Sequence, residues 1–197
     1  NYCPGGTGVH VGLSSSTMGI KYQLYNGGPV GSLVTGTGGP IDFGAQTATG
    51  TYTVVATNPT TTCVNNMSGS ATITINPLPS IYIVTGGGGY CVGGIGVPVG
   101  LTSSDPGFNY QLYNGVTPVG LPMAGTSGAL AFGNQTVAGT YTVRSTDITT
   151  SCVAVMSGSA IVTVNPLPVA YNVIGGGSYC SGLTGIAVGM SNSQLGV

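Results

Sequence analysis

An all-β chain of tandem sandwich domains is the fold this sequence predicts, and three observations predict it. The first is composition. Val, Ile and Thr are abundant, 41% of residues are hydrophobic, and 37 Gly and 12 Pro punctuate short β-prone runs, as in a protein of many strands and many turns. The second is an internal repeat. Tyr2-Cys3 returns as Tyr90-Cys91 and Tyr179-Cys180, KYQLYNG at 21–27 returns as NYQLYNG at 109–115, and GTYTV at 50–54 returns at 139–143. One unit of about 89 residues is thus written twice and begun a third time. The third is how each copy closes. MSGSATITINPLP at 67–79 and MSGSAIVTVNPLP at 156–168 alternate apolar and polar residues as a half-buried strand does, then stop at prolines that cannot donate to a ladder.

The repeat divides the chain into 1–79, which lacks its first strand, 80–168, which is complete, and 169–197, the start of a third copy. In the second copy, residues 81–84 read as a first strand, and Gly86 to Gly89 permit a sharp change of direction. Val97, Val99 and Leu101 alternate as a second strand. Residues 110–113 form a third, followed by Asn114-Gly115, a two-residue hairpin signal. Residues 119–123 return, Leu130 and Phe132 mark a fifth strand, 141–145 a sixth, and 159–164 the last. Seven short strands in this length are the rhythm of an immunoglobulin-like sandwich. Tyr52 and Tyr141 stand where a tyrosine corner would open the sixth strand; ordinary aromatic burial is the alternative.

Asn76-Pro77-Leu78-Pro79 is a short linker stiffened by two prolines, so successive domains are expected end to end as a rod. The chain starts at Asn1 without an initiator Met and its third copy is unfinished, which leads us to expect an excerpt of a longer, processed protein. The strand missing from the first repeat should leave an open sheet edge and an apolar groove. Either preceding residues of the same polypeptide or a strand from another copy would fill it; the in-phase third copy favours the first.

Cysteine spacing predicts one disulfide within each repeat. Cys3 and Cys63 lie 60 apart, Cys91 and Cys152 lie 61 apart, and Cys180 would pair beyond residue 197. Such bonds imply an oxidising compartment, and closing a loop of about 60 residues contributes roughly 4 kcal/mol as loop-closure entropy. In antibody domains the second Cys follows the corner Tyr by two residues, whereas Cys63 and Cys152 follow Tyr52 and Tyr141 by eleven. The expected bridge therefore runs from the start of the second strand to the loop between the last two. Zinc is the rival reading, but it needs three or four clustered thiolates or imidazoles, which two Cys per repeat and a single His cannot supply.

The VTVNPLP ending, the GGG-x-YC run and the TTxC before the last strand resemble the tandem Ig-like modules of very large secreted surface proteins of Bacteroidetes. The resemblance covers essentially the whole chain. It implies stalks of adhesins or filaments, often exported through the type IX system and linked to gliding or surface attachment.

Charge narrows the function further. Lys21, Arg144, Asp42, Asp105 and Asp147 are the only charged side chains. Two cations cannot neutralise a phosphate backbone, so nucleic acid is not an expected partner, and no apolar run is long enough to span a bilayer. The repeat also serves as a control, because a residue essential to each module should recur. His10 aligns with Pro98, Lys21 with Asn109, Asp42 with Ala131, Asp105 with Thr17, Arg144 with Val55 and Asp147 with Asn58. There is no serine-hydrolase elbow, no carboxylate pair for glycoside hydrolysis, no calcium loop, and no Lys or helix after the glycine runs to make them phosphate loops. No catalytic residue, metal site or cofactor is expected. Tyr25 and Tyr113 are the contact candidates: each lies beside a hairpin on the strand face opposite Tyr22 and Tyr110, where an exposed ring could stack on a sugar or a neighbouring subunit. Cross-strand packing is the plainer reading. The expected function is a structural segment of an extracellular, cell-surface rod, stalk or filament, partnered by neighbouring copies or repeats. A carbohydrate- or surface-binding adhesin module is the alternative.

Overall fold

The computed structural model describes residues 1–196. The first repeat holds β1 (Val9–Leu13), β2 (Lys21–Asn26), β3 (Gly28–Thr35), β4 (Ile41–Gln46), β5 (Gly50–Thr57), β6 (Val64–Asn66) and β7 (Ala71–Ile73). The second holds β8 (Val84–Gly86), β9 (Gly88–Cys91), β10 (Val97–Leu101), β11 (Phe108–Asn114), β12 (Thr117–Ala124), β13 (Leu130–Gln135), β14 (Gly139–Asp147), β15 (Val153–Val155) and β16 (Ala160–Asn165). A hairpin of β17 (Val173–Gly175) and β18 (Val188–Met190) follows. Among the described residues every regular element is a strand.

The second repeat shows the complete architecture. One sheet runs β13-β10-β8, and the other runs β12-β11-β14-β16-β9 with β15 also on β14. All pairs are antiparallel except β16 with β9, which is parallel. This is an immunoglobulin-like sandwich in which the leading strand begins in one sheet and finishes in the other. The crossing explains the glycine run. Gly86 and Gly87 have φ of 91° and 83°, and a Cβ on them would stand 2.0 Å from the Pro98 carbonyl oxygen and 2.6 Å from that of Ile161. Only glycine lets the chain pass between the sheets. The first regular strand accordingly spans Val84–Gly86 rather than 81–84, with Ile83 held by an isolated parallel bridge to Ser157.

Two hydrophobic clusters form. One contains Val99, Leu101, Tyr110, Leu112, Tyr141, Val143 and Val162, and the other contains Val11, Tyr22, Leu24, Tyr52, Val54 and Ile73. The alternation Tyr-Gln-Leu-Tyr sends Tyr22, Leu24, Tyr110 and Leu112 inward. The tyrosine corner is present in both repeats: the Tyr52 hydroxyl donates to the Ala48 carbonyl at 2.9 Å, and Tyr141 donates to Val137 at 2.8 Å. Burial raises the Tyr141 phenol above its ordinary pKa of 10.0.

The recurring Gln fills a bulge. Tyr110 pairs with Met123 and Leu112 with Val119, so three residues of β12 face Gln111. The Gln111 amide donates to the carbonyls of Leu112 and Val119, both at 2.9 Å; Gln23 donates likewise to Leu24 and Val30 at 3.0 and 2.8 Å. The hairpin is displaced from the expected Asn114-Gly115, since Asn114 itself pairs with Thr117. Its side chain is committed elsewhere, donating to the Ala138 carbonyl at 3.3 Å. Gly139 opposite leaves the room, because a Cβ there would stand 2.0 Å from Asn114 Oδ1.

Candidate functional site

The cysteines do not pair within each repeat. Cys3 bonds Cys152, with their Cα atoms 5.5 Å apart, so the disulfide joins the first repeat to the second. Cys63, Cys91 and Cys180 are free and exposed. Strand direction explains the correction. Cys91 pairs with Asn165 at the end of β16, so the Tyr-Cys cysteine rides to the trailing end of its module. Cys152 sits just before β15, at the leading end. The 13 residues from 152 to 165 cover roughly 40 Å at about 3.3 Å each, far beyond the Cα separation of about 7 Å that a disulfide tolerates. Two such cysteines meet only when modules stand end to end.

Each half of the joint is built by local hydrogen bonds. In the loop half, Asp147 Oδ1 accepts from the backbone N–H groups of Thr149 and Thr150 at 2.7 and 2.9 Å. These bonds, with Thr150 the larger influence, hold the Asp147 carboxyl below its ordinary pKa. Asp147 N–H then donates to the Cys152 carbonyl and Ser151 N–H to the Asp147 carbonyl, each at 2.9 Å, with Ser151 at a φ of 59°. The first repeat builds the same loop from Asn58, whose Oδ1 accepts from Thr60 and Thr61 at 2.9 and 3.3 Å and whose N–H donates to the Cys63 carbonyl at 2.9 Å. Thr62 matches Ser151 with a φ of 59°. The alignment of Asp147 with Asn58 is therefore a shared turn chemistry rather than a lost charge.

In the trailing half, Tyr2 bridges Ile75 in parallel and accepts from Asn76 N–H at 2.9 Å. Tyr90 and Cys91 pair with Val164 and Asn165. The hydroxyls of Tyr2 and Tyr90 donate to the carbonyls of Thr47 and Thr136. Gly6 and Gly94 N–H groups cap the Cys3 and Cys91 carbonyls at 3.0 and 2.9 Å. Packing at the occupied joint follows: Cys152 and Pro79 are buried, while their counterparts Cys63 and Pro168 are exposed.

The first repeat has a groove, but not the wholly apolar one expected, since Ser14, Thr53, Ser68 and Ser70 share its walls. Val11, Leu13, Met67, Ser68 and Ala71 line a cleft of about 340 Å³. In the second repeat β8 fills the same place: Val84 pairs with Leu101, Gly86 pairs with Val99, and Val84 N–H donates to the Ser157 carbonyl at 2.9 Å.

Tyr25 and Tyr113 are half-buried. The Arg144 guanidinium lies over the Tyr113 ring at 4.7 Å from its centroid, an arrangement of cation–π geometry. Val55 takes the place of Arg144 in the first repeat, so the two tyrosines are not brought into equivalent surroundings. His10 Nδ1 and Asp42 Oδ2 are hydrogen-bonded to each other at 2.7 Å on the exposed surface. Asp105 accepts from the Tyr82 hydroxyl at 2.6 Å, which lowers its pKa and raises that of Tyr82. Among the described residues no three His, Cys, Asp or Glu side chains gather as a metal site would require.

No family model matches the chain, and no curated protein matches it. Among solved structures that match is the crystal structure of murine CEACAM1b, at 15% identity and a TM-score of 0.35, covering 75% of this chain and 86% of that one. The strand topology described above, and not this match, is the basis for the immunoglobulin-like fold.

Proposed function

We propose that this chain is a structural segment of an extracellular, surface-exposed rod, stalk or filament, in which immunoglobulin-like modules are fixed end to end and none performs catalysis. The observation that carries this reading is the Cys3–Cys152 bond across the joint, beside a linker whose Pro79 is buried. A stable disulfide belongs to an oxidising environment. The resemblance of the VTVNPLP and YC motifs to modules of large Bacteroidetes surface proteins agrees with it, as does the lack of any charged residue that recurs between repeats. Neighbouring modules of the same kind are the partners in this reading.

Negative-stain imaging of the material purified without reductant tests it. Straight rods of uniform width are expected. Compact particles, or beads turning freely about each linker, would overturn it. Polysaccharide recognition through Tyr25 and Tyr113 is the competing reading, and a glycan array with the Tyr113→Ala variant decides it: binding that this variant loses would favour adhesion.

A further inference from the structure

We propose that Cys63 and Cys91 are the two open halves of the same inter-module disulfide that Cys3 and Cys152 make. Every joint in the array would then carry this bond, from the trailing-end cysteine of one module to the loop cysteine of the next. The ligand of each free thiol is a cysteine on another module of this kind.

Neither cysteine stands alone as an argument. Cys63 occupies a loop built bond for bond like that of Cys152, down to the 2.9 Å hydrogen bonds and the residue at φ 59° before it. Cys91 occupies a strand end built like that of Cys3, with the same tyrosine anchor and the same glycine cap. The second, independent observation is that the equivalent pair is bonded in this chain. What differs is occupancy of the joint: Cys152 is buried with a module against it, whereas Cys63 is exposed. Cys180, a third Tyr-Cys copy, is the same half again. Bond formation is oxidative. Two thiols lose two protons and two electrons and gain one S–S bond, and an oxidised dithiol carrier takes them up and becomes the dithiol.

This inference rests on the end-to-end reading but fails separately from it. Straight rods whose Cys63 and Cys91 remain thiols would sink it and leave that reading standing. The test is differential alkylation of the native material: block free thiols without reductant, denature, digest, then reduce and apply a second label. Cys63 and Cys91 peptides are expected to take only the second label. Before reduction each should appear cross-linked, Cys63 to a Tyr-Cys peptide and Cys91 to a Thr-rich loop peptide. A partner of Cys91 identical to the Cys63 peptide, in a species of doubled mass, identifies a second copy; a partner of different sequence identifies a further module of a longer chain. Alkylation before reduction overturns the proposal, as does a Cys3–Cys63 or Cys63–Cys91 link in a species of single-chain mass. Cys63→Ser and Cys91→Ser should each abolish the corresponding cross-link. A cross-link that survives the substitution also overturns it.

Discussion

Ser145 occupies in the second repeat the buried place that Ala56 occupies in the first, each paired across the strand with an inward tyrosine, Tyr110 or Tyr22. The Ser145 hydroxyl is fully buried and has no hydrogen-bond partner among the described residues. An unsatisfied hydroxyl costs stability that an alanine of nearly the same shape does not. Ser145→Ala should stabilise the second repeat by about 1 kcal/mol, seen as a rise of several degrees in its thermal transition. Ala56→Ser should move the first repeat the other way.

The crossing between sheets makes a second prediction. Gly86→Ala places a Cβ at 2.0 Å from a backbone oxygen at a φ of 91°, so it should destabilise by more than about 2 kcal/mol. Gly115→Ala has φ of 61° but open space around it, and should cost only the left-handed backbone penalty of about 1 kcal/mol. Equal losses in urea titrations of the two variants would contradict the packing account.

The joint disulfide makes a third. It closes a loop with a sequence separation of 149, which corresponds to about 5 kcal/mol of loop-closure entropy against unfolding both repeats together. Calorimetry with and without reductant should show the bonded chain melting later. Transitions unmoved by reductant would contradict this.

Stability should be flat in pH across a wide span. Asp42, Asp105 and Asp147 all have carboxyls held below the ordinary 3.8, chiefly by hydrogen bonds from Gly44 N–H, the Tyr82 hydroxyl and Thr150 N–H. Depressed carboxyls contribute stability that is full above that value and lost as pH falls through their folded pKa. Tyr82, Tyr110 and Tyr141 are raised above 10.0, so their contribution is full below that value and lost as pH rises through their folded pKa. Melting temperatures should therefore hold steady between about pH 5 and 9. With five charged side chains in the chain, molar salt has little to screen. A steep change inside that window would contradict this.

Much of the sandwich was legible because its strands alternate and its turns repeat. Val97 to Leu101 and Tyr110 to Tyr113 fall in strands as expected, whereas Gly-Thr-Tyr left Tyr52 and Tyr141 open between a corner and plain aromatic burial, which their hydroxyl bonds to Ala48 and Val137 decide. Asn114-Gly115 misled because the Asn side chain serves the start of β14, a contact that local turn chemistry does not encode. β15 was missed because three residues between prolific turn formers carry little periodicity. The disulfide was misread for a deeper reason. In a periodic sequence the loop cysteine of one module and that of the next differ by one period, so spacing alone reads Cys3–Cys63 and Cys3–Cys152 alike. Only the parallel pairing of β9 with β16, which places the two kinds of cysteine at opposite ends, decides between them.

The Cys3–Cys152 bond also sets where a pulling force would travel. Tension applied between Asn1 and the trailing hairpin follows the shortest covalent path, which runs from Cys3 through sulfur to Cys152 and on along β16 and the proline linker. Residues 4–151 lie off that path. The whole first sandwich core and most of the second are shielded from load, and the chain can lengthen only by peeling its closing strand and the segment after it. Stretched singly, the oxidised chain should give an extension far shorter than its residue count implies, and cutting one sulfur bond should release the rest.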